Sequence, residues 1–553
     1  MKRQTAGSAA PAAAAQQTKK SKSSASSSSA SAPPASTSPL LSMADADVLP
    51  WLLAPVSVET FFASHWERAP LHIKRGDRTY FDGIFSKRHL DQCLRSRPLE
   101  WRYNINVCQF IGGVKVDQNL DPDTPVDADY VQARFAKGST LQALHPQQYT
   151  PAVWKLNSAL EATFGSLVGS NVYLTPPKSQ GLAPHCDDIE AWVLQLEGTK
   201  RWRLYRPTVE CPRAHSGDLQ YADIGAPFME IVLEPGDLLY FPRGLIHEAC
   251  TQAHEASTHL TVSTYQKTAW VDFMTPTLQK ACERAANADV DFRRGLPLQY
   301  LHFMGSGVRQ TLESASSSAS SSAAAAATAS ASDETAAGAL VTSSFYAPAA
   351  AAVGRARQAA FAATFDSLFD RLRSHIDLHE GADAVSADFM QNRLPPFAAE
   401  SSASGAGKAP SSAAAASIAP VVVTAASRVR LVEPTALRMM IEKDEDGEMV
   451  VFLALSTENS HEYHMDGRFG RQPQIMKLPL ACASAIAHLF AAHPAFVAVD
   501  ALPMPAAEAG AKADKDEAND DDDDDDEDED EEDLRVQLVE ALLESKAIAL
   551  ESQ

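Results

Sequence analysis

The stretch APHCDDIEAWVLQLEGTKRW, residues 183 to 202, sets a histidine, a cysteine, two aspartates and a glutamate directly ahead of an apolar run. In extended backbone successive side chains alternate, so His185 and Asp187 project to one side and Cys186 and Asp188 to the other. An imidazole and a carboxylate therefore converge on one point. A second imidazole, His247, directly follows YFPRGLI, sixty residues after Asp187, where a strand end can bring it beside the first pair. Two imidazoles and a carboxylate on one face of an octahedral ion leave three positions open, the donor set of non-haem Fe(II) oxygenases. A bidentate 2-oxo acid and O2 would fill those positions. A dicarboxylate cosubstrate also needs a cation at its far end, and Lys200, on the strand after the HxD turn, supplies one. Tyr173 and Thr261, on neighbouring strands, offer hydrogen bonds to the same carboxylate.

Each residue also has a plainer reading. A buried lysine usually marks an ion pair, a strand tyrosine or threonine usually packs, and HxD alone recurs by chance. It is the grouping that counts, because HxD follows PP and a glycine, precedes a strand and is answered by a histidine after a PGD turn. A zinc hydrolase using His185, His247 and Cys186 is the competing metal reading, and alternation opposes it by turning Cys186 away. Of the other nearby histidines, His254 sits in a polar loop and His259 opens the run HLTVSTYQ, where a hydrogen-bonding role is expected.

The elements that would position these residues are strands. From Val48 to about Lys267 the chain reads as one unit, beginning with a helix and a short strand in VETFFASHWERAPLHIKRG. NVYLTPP, AWVLQLEGTKRWRLYRP, FMEIVLEPGDLLYFPRG and HLTVSTYQ are short apolar or alternating runs broken by Gly and Pro. That is the pattern of a sandwich or barrel, and the turn at Pro235 and Gly236 favours a jelly roll. Past Trp270 the period changes. Phe361, Phe365, Leu368, Leu372 and Ile376 recur at helical spacing, so an amphipathic helix is expected to cover the barrel or a second copy of the chain. Later, SRVRLVE and ALRMMIEKDEDGEMVVFLAL read as strands around an Asp-Gly turn. PLACASAIAHLFAAHP reads as a helix, and a last helix begins at about Leu534. This is a small α+β module of winged-helix type, and without a basic net charge it gives little support to direct nucleic-acid binding.

Composition removes much of the 553-residue chain from any core. Residues 1 to 44 are rich in Ala, Ser and Pro and lack acids, so disorder is expected there. Ser/Ala tracts at 313 to 345 and 400 to 426 read as inserted linkers, and 507 to 533 as an acidic insertion. Of the formal charge of −23, 14 units lie in the run Asp520 to Asp533, which reads as a solvated spacer or a docking element for basic partners. No apolar stretch reaches the length of a membrane span, so no membrane partner is expected. The seven cysteines form no CxxC pair, which favours a reducing compartment. The leader is compatible with an organelle transit peptide or, through Lys19, Lys20 and Lys22, with nuclear import.

GSNVYLTPPKSQGLAPHCDDIEAWVLQLEGTKRWRLY, LEPGDLLYFPRGLIHEA and STHLTVSTYQ together resemble the JmjC-domain ribosomal oxygenases, of the Myc-induced nuclear antigen and nucleolar histidyl hydroxylase type. The resemblance covers most of residues 48 to 300 and continues more loosely through DFMQNRLPPF and the C-terminal module. It implies Fe(II)- and 2-oxoglutarate-dependent hydroxylation, with O2, of a histidine in a large-subunit ribosomal protein, and also histone H3 lysine demethylation. By the same resemblance His185, Asp187 and His247 match the iron ligands and Lys200 the lysine on the distal carboxylate. Tyr173 and Thr261 match residues near that carboxylate, with Asn171 and Ser263 on the substrate side.

The implied architecture is a mainly β core, a double-stranded β-helix or jelly roll of the JmjC cupin type, followed by an α-helical dimerisation region and a winged-helix-like domain. The expected limits are a leader at 1–44, a catalytic domain at 45–275 and a helical region at 276–398. A linker at 400–426 and the C-terminal domain at 427–553 complete them. A homodimer in the nucleus and nucleolus follows from the resemblance, against an organelle if residues 1–44 are a transit peptide. The rival from another class is a non-enzymatic cupin-type scaffold for chromatin or ribosome assembly. Where such enzymes often carry an aromatic residue between the histidine and the aspartate this chain has Cys186, so Cys186→Tyr is expected to be tolerated.

Overall fold

The computed structural model describes residues 38–264, 267–307, 348–397, 422–464, 474–504 and 534–551. The expected insertions at 313–345 and 507–533, and all but the ends of the leader and of the second linker, lie outside them. The ends of both differ from expectation. Leu40 is fully buried in the main core, in a short turn of helix at Pro39–Ser42 capped by Ser38. Val423 packs into the C-terminal core. An apolar side chain at the edge of a low-complexity tract is invisible to composition, yet it is what anchors each tract to a domain.

The first domain is built on eleven strands: β1 Leu71–Ile73, β2 Ile105–Ile111, β3 Val114–Asp117, β4 Thr140–Leu144, β5 Gly169–Thr175, β6 Glu190–Glu197, β7 Lys200–Tyr205, β8 Met229–Leu233, β9 Leu238–Phe241, β10 Ile246–Thr251 and β11 Ser257–Thr264. Eight form one sheet in the order β1-β9-β6-β11-β5-β4-β2-β3, and β10-β7-β8 form the second. Within the larger sheet β6 is buried on both faces, which explains its nearly unbroken apolar run. Trp192 and Leu194 pack outward beneath the helices with Phe61, Leu156 and Leu160. Ala191 and Val193 face inward against Trp202, Leu204 and Phe241. AWVLQLEGTKRWRLYRP is thus two strands in two different sheets, divided at Gly198. Gly198 has φ +59°, and a Cβ there would lie 1.8 Å from the Ala256 carbonyl oxygen, so only glycine fits the corner.

The helix Pro348–Leu372 contains the apolar repeat read from sequence, but Ile376 lies beyond its end. Leu372 packs with Ala281 and Ala285 of the helix Trp270–Ala288. Phe365 remains 59% exposed and lines one groove with Leu296, which is exposed to the same degree.

The C-terminal part holds two three-stranded sheets, with helices Ala483–Ala492 and Leu534–Glu544. Its strands are β12 Arg428–Leu431, β13 Leu437–Lys443, β14 Met449–Leu455, β15 Gln474–Pro479, β16 Val497–Ala498 and β17 Ile548–Leu550. The Asp-Gly turn falls between β13 and β14, with Gly447 at φ +86°. This part is tied to the helix Pro151–Phe164 by buried polar contacts. The Glu161 carboxylate accepts from His464 Nε2 at 2.8 Å, Leu394 N at 2.7 Å and Val168 N at 3.1 Å. Gln147 Nε2 lies 2.9 Å from His464 Nδ1, and Trp154 stacks on His461 at 4.3 Å. His464→Ala would leave the fully buried Glu161 carboxylate short of a donor, so a loss of about 3 kcal/mol in denaturant unfolding is expected. Among the described residues no single helix is long and apolar enough to cross a membrane.

Candidate active site

His185 precedes β6 in irregular backbone and is joined to His247 by an isolated antiparallel bridge. His247 N donates to His185 O at 2.8 Å and His185 N to His247 O at 3.2 Å. His247 is not at the end of the strand that contains Tyr240, as expected from sequence. That strand stops at Phe241, a turn follows, and His247 is the second residue of β10 in the opposite sheet.

Nδ1 of His185 lies 2.8 Å from the Ala183 carbonyl and Nδ1 of His247 lies 3.1 Å from that of Leu245. Each Nδ1–H therefore donates to backbone, which fixes the tautomer and leaves both Nε2 lone pairs pointing the same way. They point at Asp187, whose oxygens lie 3.9 Å from His185 Nε2 and 3.7 Å from His247 Nε2. The three ligand atoms lie within 4.8 Å of one another, a spacing able to hold a metal ion. Burial, and after it the neighbouring His185, lowers the His247 pKa to about 4, so its imidazole is neutral and available as a donor at physiological pH.

The same pocket contains Lys200, the first residue of β7. It is 4% exposed, donates to Thr175 Oγ1 at 3.1 Å, and among the described residues has no carboxylate partner. Burial lowers its pKa to about 7. A buried amine without a counter-ion is costly, and a dicarboxylate reaching in from the metal position would supply the missing charge. The Tyr173 oxygen accepts from Gln142 Nε2 at 3.0 Å and is also hydrogen-bonded by Asn171, and its O–H can donate into the pocket it lines. Burial, followed by the Asp187 charge, raises its pKa and keeps it a phenol. Thr261 lines the pocket with it. The residues present thus suit both a divalent metal and a dicarboxylate.

Asn171 and Ser263 share the inward faces of β5 and β11 with Tyr173 and Thr261, two residues further along each strand and beyond the pocket lining. Alternation could have found more. Thr175 lies two residues from Tyr173, and His259 two from Thr261, on those same faces. Gln142 was without a signal, because it enters through the pairing of β4 with β5. The hydrogen bond expected at His259 is not there. Its Nδ1 has no partner among the described residues, and its ring is held instead by stacking on Tyr173. His254 lies exposed in its loop.

Cys186 is turned away from the ligand atoms, as alternation required, and sits buried among Tyr205, Ile224 and Ile246. The expected tolerance of tyrosine there does not follow, because this cluster is already filled. Cys186→Tyr should overpack it and cost about 1–3 kcal/mol in a thermal or denaturant melt.

Two sheets enclosing an HxD…H set and a lone buried lysine define a JmjC oxygenase, which uses Fe(II), 2-oxoglutarate and O2. A family model for the JmjC domain matches residues 142–271, and one described as the ribosomal oxygenase 1 C-terminal winged helix domain matches residues 394–513. Ribosomal oxygenase 1 of Gallus gallus is 32% identical over 469 residues, which cover 84% of this chain and 69% of the relative. That of Danio rerio is 33% identical, covering 83% and 75%. The bifunctional lysine-specific demethylase and histidyl-hydroxylase NO66 of Branchiostoma floridae is 32% identical, covering 82% of this chain and 63% of the relative. The chain belongs to the ribosomal oxygenase 1 family. Among solved structures, the Escherichia coli ribosomal oxygenase YcfD in complex with cobalt and 2-oxoglutarate aligns over 90% of this chain and 99% of its own, at 12% identity and a TM-score of 0.41.

Proposed function

We propose that the protein hydroxylates a histidine of a large-subunit ribosomal protein, with His185, Asp187 and His247 holding the Fe(II). The observation that carries this reading is the meeting, in one pocket, of three convergent ligand atoms and an uncompensated buried Lys200. When bound, the metal with 2-oxoglutarate and O2 supplies an oxidant that hydroxylates the nearest C–H, with succinate and CO2 as coproducts. The chain's own part is placement. Lys200 meets the far carboxylate of 2-oxoglutarate, Tyr173 and Thr261 donate to it, and Asn171 and Ser263 face the substrate residue. Phe241 and Trp202, whose rings lie 4.6 and 6.1 Å from that of His247, exclude water from the metal side.

A second reading, lysine demethylation with histone H3 as the proposed substrate, is favoured by the lysine-specific demethylase activity in the name of the NO66 relative. The same C–H hydroxylation on an N-methyl group gives a hemiaminal that releases formaldehyde. A homodimer is part of the proposal, supported by the exposed apolar groove that Leu296, Phe361 and Phe365 line. Nuclear and nucleolar residence is proposed from the kinship to ribosomal oxygenase 1. The test is incubation with large-subunit ribosomal proteins and methylated histone H3 peptides, with Fe(II) and 2-oxoglutarate, followed by mass spectrometry. A gain of one oxygen on a ribosomal histidine is expected. Loss of CH2 from the histone peptide with no ribosomal product would replace the first reading by the second.

A further inference from the structure

A row of amide side chains runs across the larger sheet and ends on Tyr173. In register, Asn106 on β2 faces Gln142 on β4, and Gln142 faces Tyr173 on β5. Asn119, just past the end of β3, joins the row at its outer end. Each member bonds the next. Asn119 Nδ2 donates to Asn106 Oδ1 at 3.2 Å, Asn106 Nδ2 to Gln142 Oε1 at 3.3 Å, and Gln142 Nε2 to the Tyr173 oxygen at 3.0 Å. The outer end is anchored to backbone, because Val107 N donates to Asn119 Oδ1 at 2.7 Å. The Asp117 carboxylate holds it further, accepting from Asn119 N at 2.8 Å and from Arg102 Nη2 at 3.1 Å. Asn106, Asn119 and Gln142 line a polar cavity of about 350 Å³ that shares no lining residue with the metal pocket. Filling space is therefore not their task.

The row has a direction. An amide side chain accepts at one end and donates at the other, so the orientation of one member dictates that of the next. A backbone N–H cannot accept, so Val107 N fixes the Asn119 oxygen, and all three amides then present a donor toward β5. The Tyr173 oxygen receives the last of these donors, and its single hydrogen is left for the pocket that the ring lines. In a reversed row the Gln142 oxygen would face Tyr173 and take that hydrogen. We propose that Asn119 and Asn106 are positioning residues for the oxygenase reaction, aiming the Tyr173 hydroxyl at 2-oxoglutarate by setting the polarity of Gln142. The proposal rests on the reading of Tyr173 as a cosubstrate donor and adds what controls that donor. The control begins three hydrogen bonds away, at a backbone N–H of β2.

Asn119→Asp keeps the acceptor for Val107 N and replaces the donor by a second acceptor, so Asn106 and Gln142 must both turn over. Asn106→Asp forces the same turn on Gln142 alone. The test is calorimetric titration of 2-oxoglutarate into the full chain loaded with Mn(II) without oxygen, for each aspartate variant, for Tyr173→Phe and for the two combinations. Each single variant should weaken 2-oxoglutarate about tenfold, the loss of one hydrogen bond to a charged group, and leave the affinity for Mn(II) unchanged. In turnover the loss should appear in KM for 2-oxoglutarate rather than in kcat. The combinations decide. With no hydroxyl left to aim, neither aspartate should cost more than about twofold beyond Tyr173→Phe itself. A merely structural role, or repulsion of the cosubstrate by the new charge, would persist without the hydroxyl, so a full further loss in the combinations would overturn the proposal. If Tyr173→Phe binds normally, the Tyr173 reading falls and the proposal with it. If Tyr173→Phe is weak and both aspartate variants bind normally, only the positioning role falls.

Discussion

His247→Ala is expected to take succinate production down at least about a thousandfold, the equivalent of about 4 kcal/mol in the barrier, and His185→Ala to do the same. Each removes one of only three convergent donors, and Asp187 with one imidazole leaves too few ligands to hold the ion in its facial geometry. Both variants should still fold. The contacts that join the two segments run between backbone groups, His247 N to His185 O and back, and survive truncation of either side chain. Succinate formation and metal content measured on the same sample check this, with circular dichroism for the fold. A variant that kept full turnover would remove the iron assignment.

Lys200→Ala is expected to raise the 2-oxoglutarate requirement about a hundredfold, or roughly 2.7 kcal/mol, with a much smaller change in kcat. The lysine touches the end of the cosubstrate that does not react, so its loss weakens ground state and transition state alike. A second readout needs no turnover. Burial lowers the Lys200 pKa to about 7 from an ordinary 10.5. Between those values the unfolded chain binds a proton that the folded chain lacks. Stability of the metal- and cosubstrate-free protein should therefore rise with pH across that window, at up to about 1.4 kcal/mol per pH unit from this group. Lys200→Met removes the charge and keeps the stem, so its melting profile should lose that slope and lie above the unaltered protein at pH 7 and below. An unchanged profile would mean that the amine is not buried as described.

Much of the site was legible because its logic is local. HxD alternation is a property of three consecutive residues, and it correctly turned Cys186 away from the ligand atoms. The face shared by Asn171 and Tyr173 follows from the period of a strand, and extending it by one step would have added Thr175, the residue that accepts from Lys200. What could not be read depends on which strands meet. A continuous apolar run does not announce that it changes sheets at Gly198, and a histidine after a proline-glycine turn can belong to the strand before or the strand after. The bridge that joins His185 to His247 is a contact across sixty residues with no local trace. The hydrogen bond expected at His259 fails for a similar reason, since its ring meets Tyr173 on β5 and Trp202 on β7, which strand period alone does not bring together. The changed expectation at Cys186 is of another kind, since the buried cluster around it consists of Tyr205, Ile224 and Ile246, none adjacent in sequence.

The same distinction explains the domain edges. Leu40 and Val423 are single apolar side chains at the ends of tracts whose composition argued for disorder. Composition averages over a window, whereas burial is decided one side chain at a time.

In the proposed function, oxidation of 2-oxoglutarate is coupled to hydroxylation of a protein histidine at the His185, Asp187 and His247 site. The most direct measurement is a turnover in isotopically heavy O2 with a large-subunit ribosomal protein as substrate, both products being analysed by mass spectrometry. One heavy oxygen atom in succinate and one on the hydroxylated histidine, both lost in His247→Ala, is the predicted result. Heavy oxygen absent from both products, or unchanged labelling in His247→Ala, would contradict it.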